Sequence, residues 1–182
     1  ACLVVAGIGF DAALVAVTSP ALKARIKWGA YALAALENLR TPRMELSLGL
    51  VGAPDDDGPP GPPRPGLPPS QERLVARCLL IANGGRLPAG IVLIPGARMD
   101  DGLLDVAAID TVAGLAGWTS LARQVLPPFA ATYSNPSRAL GRVRLRRGTA
   151  VSVHLAEPAL VQVDGELLAP TRALRVRMDA GA

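Results

Sequence analysis

Residues 142–178, RVRLRRGTAVSVHLAEPALVQVDGELLAPTRALRVRM, alternate between apolar and polar side chains for most of their length. The alternation predicts four short strands, at 143–145, 151–155, 160–163 and 174–178, separated by turns at 147–148, 157–158 and 164–165. Several short strands with turns at close intervals are typical of a mainly antiparallel sheet. We therefore predict a mainly β (α+β) fold, an antiparallel β-sandwich with two or three helices.

The rest of the chain predicts two helices and further strands. Ser19 and Pro20 fit the N-cap and first position of a helix over 20–39, and apolar residues at helical spacing predict another over 112–126. Residues 1–17 are interpreted as a buried strand, a glycine turn and the start of a short helix. Additional strands are predicted at 43–50, 73–82, 91–94 and 103–109.

Residues 52–70 differ from both neighbours, because eight of the 17 prolines lie there. Such a segment is a solvated loop with polyproline character, either an interdomain linker or a long insertion in a hairpin. The insertion is favoured since strands are predicted on both sides. A spacer is also favoured over a ligand for SH3-like partners.

Composition excludes several classes of protein. The 182 residues are 50% hydrophobic with a net charge of +4, which argues against disorder. Cys2 and Cys78 cannot form a disulfide framework, and with the lone His154 they cannot build a zinc site. A Ser-His-Asp hydrolase would have to use that histidine. Aromatic residues make up only 3%, so no nucleic-acid partner that stacks bases is expected.

The beginning of the chain lacks targeting signals. It starts with Ala1 inside an apolar run, as if cut within a strand, and no basic segment of a signal peptide is present. Asp11 interrupts the run before it reaches the length of a membrane span. The absence of a disulfide framework fits a reducing compartment, and a cytoplasmic location is expected.

The segment Gly7-Ile8-Gly9-Phe10-Asp11-Ala12 matches the dinucleotide-binding pattern G-x-G-x-x-A only weakly. No second parallel strand or ribose-binding acid is predicted downstream at the required spacing. The alternative is a tight turn, in which glycines allow backbones to approach closely and Asp11 caps the next helix.

Two acidic turns are candidate sites. In the first, Asp100, Asp101 and Asp105 surround a glycine and could bind a hard cation with help from backbone carbonyls, although a simple turn explains them too. In the second, Asp164-Gly165 is a strong hairpin signal. There Asp164 and Glu166 could project together, one as a general base and the other positioning it or a metal.

A basic strip is formed by Arg142, Arg144, Arg146 and Arg147. Arginines at period two make one charged face of a strand. The face is either simply solvated or an electrostatic footprint for an anionic lipid surface.

The order of these motifs carries more information than any one of them. GIGFDA, WGAYALAAL, IANGG, PGARMDDGLLDV and VDGE follow one another along the chain. This order resembles the C-terminal domain of the bacterial diacylglycerol kinase family, lipid kinases related to sphingosine kinases and remotely to NAD kinases. The resemblance covers nearly all of residues 1–182 outside the proline-rich loop.

The resemblance implies a substrate-side domain that transfers the γ-phosphate of ATP to a lipid alcohol. Glu166 would be the catalytic base and Asp164 its support. Asp101, with the backbone carbonyls of Arg98 and Leu103, would hold a structural Mg²⁺. Expected partners are the lipid alcohol and the inner face of the membrane, to which the protein would be peripheral, with a homo-oligomer left open.

The nucleotide half expected by this resemblance is missing. The family's Gly-Gly-Asp-Gly-Thr loop does not occur in the chain, so we do not expect the chain alone to be an active kinase. Two alternatives stay open: a non-catalytic lipid- or membrane-binding module, and an NAD-kinase-like domain.

Overall fold

Eight strands make up most of the computed structural model, which describes residues 4–9, 12–13, 42–52, 70–84, 97–112, 114, 116–120 and 140–179. All of their pairings are antiparallel, which confirms the predicted fold class. The strands are β1 (Val5–Gly9), β2 (Met44–Val51), β3 (Ser70–Ala76), β4 (Cys78–Ala82), β5 (Leu104–Thr111), β6 (Gly141–Gly148), β7 (Ala150–Val163) and β8 (Glu166–Arg177).

The strands are hydrogen-bonded in the order β3-β2-β7-β1-β4-β5-β6, and β8 pairs with β7. β2 pairs with residues 150–155 of β7, whereas β1 pairs with residues 161–163. β8 pairs with both of these parts of β7. All eight strands form one continuous hydrogen-bonded sheet, which curls at the β7–β8 hairpin so that its two parts make two layers. We call them the small sheet (β3, β2, and the adjoining ends of β7 and β8) and the large sheet (the other ends of β7 and β8, then β1, β4, β5 and β6).

The main core lies between the two sheets. Both contribute one face of alternating apolar side chains, as the period-two pattern predicts. Burial of each such side chain stabilises the fold by about 1.5–3 kcal/mol. The buried members are Ala6, Ile8, Leu46, Leu48, Leu50, Leu74, Ala76, Leu79, Ile81, Leu104, Val106, Ala108, Val151, Val153, Leu155 and Val161.

The large sheet is also covered on its other face. There a second cluster contains Cys78, Leu80, Ala82, Ala107 and Ile109, against which Ala97 and Trp118 pack. Trp118 lies in a helical segment at 116–120, within the predicted helix 112–126. Because β4 and β5 are buried on both faces, residues at their ends are held by a rigid support.

The prediction of one continuous strand over 73–82 is wrong, because two strands occupy this range. β3 ends at Ala76 and β4 begins at Cys78. Arg77 lies at the break, where its backbone N–H donates to Ile109 O at 2.8 Å and its Nε donates to Thr111 O at 2.8 Å. β3 belongs to the small sheet and β4 to the large one. The chain crosses between layers at this point, which local alternation cannot reveal.

The predicted turn at 157–158 is also wrong, because β7 continues through it as one strand. The register between β7 and β8 shifts between His154 and Ala159. Pro158 has no N–H to give to the ladder, so it interrupts the pairing as a bulge without reversing the chain. The Arg172 guanidinium bridges the bulge by donating to Ala156 O at 2.6 Å and to the Glu157 carboxylate at 2.9 Å.

The glycine segment of β1 does not bind a dinucleotide in the way that the weak motif match suggested. Both neighbours of β1 are antiparallel, whereas that motif requires a parallel βαβ unit. Gly9 has φ of +79°, and a Cβ there would lie 2.6 Å from Arg77 O. Close backbone approach therefore explains Gly9, as the alternative interpretation expected.

Several predicted elements lie outside the described residues: the helix at 20–39, the strand at 91–94 and most of the proline-rich loop at 52–70. The strands on either side of that loop can be compared. β2 and β3 are antiparallel neighbours, with Leu50 opposite Ser70. This is the arrangement that an insertion in a hairpin requires.

Candidate functional site

The turn between β7 and β8 has the geometry that its sequence predicts. Asp164 and Gly165 have φ of +49° and +88°, and Val163 lies opposite Glu166. Positive φ at both central residues is characteristic of a type I′ hairpin, for which Asp-Gly is a preferred pair. The turn therefore holds both candidate carboxylates at one end of the large sheet.

The Asp164 side chain fastens this turn to the start of β1. Its Oδ1 accepts hydrogen bonds from Val4 N–H at 2.8 Å and Val5 N–H at 2.9 Å, while its own N–H donates to Val5 O at 2.9 Å. A second anchor comes from Gln162, whose buried Oε1 accepts a bond from Gly165 N–H at 2.7 Å. Gln162 was not among the site residues predicted from the sequence. Asp164 is thus a positioning group with its Oδ1 already engaged.

Glu166 differs from Asp164 in that its side chain is exposed and forms no hydrogen bond or ion pair with any residue the structure describes. Its backbone is nevertheless fixed by the pairing with Val163. Leu167 and Leu168 follow it and are 44% and 47% exposed. A free carboxylate on a rigid strand, beside exposed apolar side chains, can accept a proton from an amphipathic substrate.

The other candidate, the acidic turn at 97–103, is held by arginines. Asp101 Oδ1 accepts a bond from Leu103 N–H at 3.0 Å, and Asp101 Oδ2 accepts one from Arg147 at 2.8 Å. At the surface, Arg98 donates two bonds of 2.9 Å to Asp100. These hydrogen bonds and the positive charge of Arg98 lower the pKa of Asp100.

Arg147 also reaches a second carboxylate, that of Asp105 on β5. Its Nε donates to Asp105 Oδ1 at 2.7 Å, and Asp105 is only 2% exposed. The other oxygen, Oδ2, is buried and accepts no hydrogen bond within the described part of the chain. Burial raises the pKa of Asp105, and the Arg147 hydrogen bond and charge oppose this shift only in part.

The strand register brings the two acidic turns to the same end of the large sheet. Arg147 lies beside Asp105, Asp105 beside Ala82, and Ala82 beside Val5, which is hydrogen-bonded to Asp164. Neighbouring strands are about 4.8 Å apart, so Asp105 and Asp164 are separated by about 15 Å. The two turns therefore face the same region but do not touch.

The residues predicted to hold Mg²⁺ lie in one loop. Asp101, Arg98 and Leu103 offer a carboxylate and two carbonyls, which are the hard oxygen donors that Mg²⁺ prefers. In the described parts of the chain, no group of three or more His, Cys, Asp or Glu side chains is close enough to share a metal. A magnesium ion here would depend on one carboxylate, carbonyls and water, and it would share Asp101 with Arg147.

The basic strip on β6 is largely engaged in ion pairs. Arg144 and Arg146 reach across to Glu72 on β3, at 3.3 and 3.0 Å, and so join the outer strands of the two sheets. With Arg147 bound to two aspartates, three of the four arginines have carboxylate partners. Most of the positive charge of the strip is therefore paired within the protein, which weakens both interpretations of it, the solvated face and the lipid footprint.

None of the described helices is long and apolar enough to cross a bilayer.

Comparison with known proteins gives a family and a fold. The profile of the YegS C-terminal NAD kinase beta sandwich-like domain matches residues 2–180. No curated protein sequence matched the chain.

Similar solved structures come from Bacillus anthracis strain Sterne. One is a candidate diacylglycerol kinase with 17% identity and a TM-score of 0.59. The match covers 96% of this chain and 49% of the kinase chain. Another, a diacylglycerol kinase, has 20% identity and a TM-score of 0.51, and the match covers 94% of this chain and 48% of that kinase chain. At these identities the likeness establishes the fold alone. The chain spans about half the length of these proteins.

Proposed function

The chain belongs to the family of YegS C-terminal NAD kinase beta sandwich-like domains, and from this membership we propose that it is the substrate-side half of an ATP-dependent lipid kinase. The observation that supports the proposal most is the placement of the turn carrying Asp164 and Glu166 at the same end of the large sheet as the acidic turn at 97–103. The proposed location is cytoplasmic, at the inner face of the membrane.

In the proposed reaction, Glu166 accepts the proton of the lipid hydroxyl. The hydroxyl oxygen forms a bond to the γ-phosphorus of ATP, the bond between that phosphorus and the β,γ-bridging oxygen breaks, and ADP leaves. Asp164 does not touch the substrate. Its bonds to Val4 and Val5 fix the turn, so that Glu166 is held at a constant place relative to β1. The nucleotide would be bound mainly by a second half.

The proposed substrate is a lipid alcohol because exposed apolar side chains lie on the same hairpin as the base. Leu160, Leu167 and Leu168 are all exposed on the β7–β8 hairpin near Glu166. Exposed apolar side chains beside a catalytic group can contact an acyl chain and exclude water from it.

The function is tested with the chain fused behind the nucleotide-binding half of a kinase of this family. With labelled ATP, we expect label in a lipid alcohol from a panel of diacylglycerol, a sphingoid base, phosphatidylglycerol and a polyprenol. The chain alone is expected to give none. Label in NAD but in no lipid would support an NAD-kinase-like domain instead, and a folded, ATP-binding fusion that labels neither would contradict the catalytic proposal.

For the metal, we propose that Asp101 and the carbonyls of Arg98 and Leu103 bind Mg²⁺, which would brace the loop at 97–103. A cation that binds only the folded state raises the melting temperature. We expect millimolar Mg²⁺ to raise it for the wild type and for Asp100→Asn, whose carboxylate faces exposed Arg98, but not for Asp101→Asn. An equal rise in all three proteins, or none in the wild type, would count against the site.

A further inference from the structure

The outer face of the small sheet carries a groove of about 880 Å³ that faces away from the core. Its floor is mostly polar, with Ser47 beside His154 and Gly49 beside Ser152 across β2 and β7. A Cβ at Gly49 would lie 2.5 Å from Ser152 Oγ, so the Ser152 hydroxyl occupies the space above Gly49. We call the space lined by these residues, Arg175 and Arg177 the outer groove.

Cationic side chains flank this floor on two strands. On β8, Arg175 lies opposite Ser152 and Arg177 opposite Ala150. On β3, Arg73 lies opposite Ser47 and lines the adjoining groove, which also contains His154. Three guanidinium groups from two distant parts of the sequence therefore flank one polar floor.

These arginines differ in their partners from most of the other described arginines, although Arg142 on β6 also forms no ion pair with a described residue. Elsewhere in the described structure, ion pairs with carboxylates engage Arg43, Arg98, Arg144, Arg146, Arg147 and Arg172. By contrast, Arg73, Arg175 and Arg177 form no ion pair with a described residue. Glu45 lines the adjoining groove on the Arg73 side, whereas none of the described residues that line the groove beside Arg175 and Arg177 is a carboxylate. Among the described residues, the positive charge of the outer groove is therefore not neutralised there.

The chemistry of the groove suits a phosphate group on an amphipathic molecule. Guanidinium forks bind phosphate oxygens in pairs, and the Ser47 hydroxyl can donate to a remaining one, whereas the Ser152 hydroxyl donates to Gly49 O at 3.4 Å. Val51 and Val75, on the same outer face, are 43% and 40% exposed and give the surface an apolar part. From this combination we propose that the outer groove binds the phosphate headgroup of an anionic phospholipid.

This site is distinct from the proposed catalytic turn. Arg175 lies nine residues along β8 from Glu166, which corresponds to about 30 Å. The phosphate bound in the groove is therefore not the one transferred in the reaction. The inference goes beyond the proposed function, since membrane binding through the groove can be measured without any catalysis and each proposal can fail alone.

Co-sedimentation of the 182-residue chain with vesicles tests the site. The vesicles are phosphatidylcholine alone, or phosphatidylcholine with phosphatidylglycerol in equal parts. We expect binding only to the second kind, weakened about 30-fold in Arg175→Gln/Arg177→Gln, because each cation near an anionic surface contributes a factor of about five. The control, Arg142→Gln/Arg172→Gln, has the same net charge and is expected to bind within about threefold of the wild type.

A steric variant distinguishes the groove from general surface charge. Ser152→Leu fills the floor without changing charge and is expected to weaken vesicle binding at least fivefold, with folding verified by thermal unfolding. Equal weakening in both double variants, or no effect of Ser152→Leu in a folded protein, would overturn the site. Stabilisation by soluble glycerol phosphate without vesicle binding would overturn the lipid headgroup as its ligand.

Discussion

Glu166→Gln, made in the fusion with a nucleotide-binding half, is expected to lower the rate of lipid phosphorylation by about 10²- to 10⁴-fold. Glutamine keeps the size and shape of the side chain but cannot accept the hydroxyl proton. Because the Glu166 side chain is exposed and has no partner among the described residues, the substitution should leave the free energy of unfolding unchanged. The measurement is the initial rate of label transfer at saturating ATP.

Two companion variants make this result specific. Glu157→Gln removes another exposed carboxylate of the same hairpin, one that pairs with Arg172, and is expected to keep the rate within about twofold. Asp164→Asn can retain an oxygen acceptor for Val4 and Val5, so we expect a smaller loss than for Asp164→Ala. Full turnover by Glu166→Gln, or equal losses in all of these variants, would exclude Glu166 as the base.

Local signals were sufficient for the hairpin that carries this residue. Asp164-Gly165 needs no information beyond its own turn chemistry, since both residues tolerate positive φ and the flanking residues alternate. The family could likewise be recognised from the order of short motifs, and the profile match over residues 2–180 confirms that resemblance.

Contacts between distant strands could not be predicted in the same way. Arg147 was recognised only as the end of a basic strip, because nothing local shows that its neighbour in the sheet is Asp105, 42 residues away. The break at Arg77 and the bulge at Pro158 depend on which layer each half of a strand joins. That choice is made by the packing of the whole sandwich, so alternation alone gave one strand in place of two, and a turn in place of a bulge.

The ion pair that sequence analysis missed leads to the largest expected effect on stability. Arg147→Met is expected to lower the free energy of unfolding by about 3 kcal/mol at pH 7, because it leaves the buried Asp105 charge without a partner. As a control, Arg172→Met removes an exposed ion pair on β8 and should cost less than about 1 kcal/mol. Urea unfolding of both variants gives the comparison.

The pH dependence of the Arg147→Met effect separates lost charge compensation from lost packing. Burial already raises the pKa of Asp105, and removing Arg147 raises it further because the opposing hydrogen bond and charge are lost. A carboxyl group whose pKa is higher in the folded than in the unfolded state favours folding fully below the unfolded value, about 3.9. That contribution is lost as the pH rises through the folded value. The stability difference between wild type and Arg147→Met should therefore shrink as the pH is lowered from 7 towards 4.

A second substitution decides the cause. Adding Asp105→Asn to Arg147→Met removes the uncompensated charge, so the double variant should regain part of the lost stability at pH 7 and lose the additional pH dependence. If instead Arg147→Met costs the same at every pH and Asp105→Asn gives no rescue, the arginine stabilises the sheet by packing alone. The outcome also bears on the acidic turn, because Arg147 holds Asp101 through its other nitrogen at 2.8 Å. Rescue of stability by Asp105→Asn without rescue of Mg²⁺ binding would show that Arg147 positions the loop as well as neutralising Asp105.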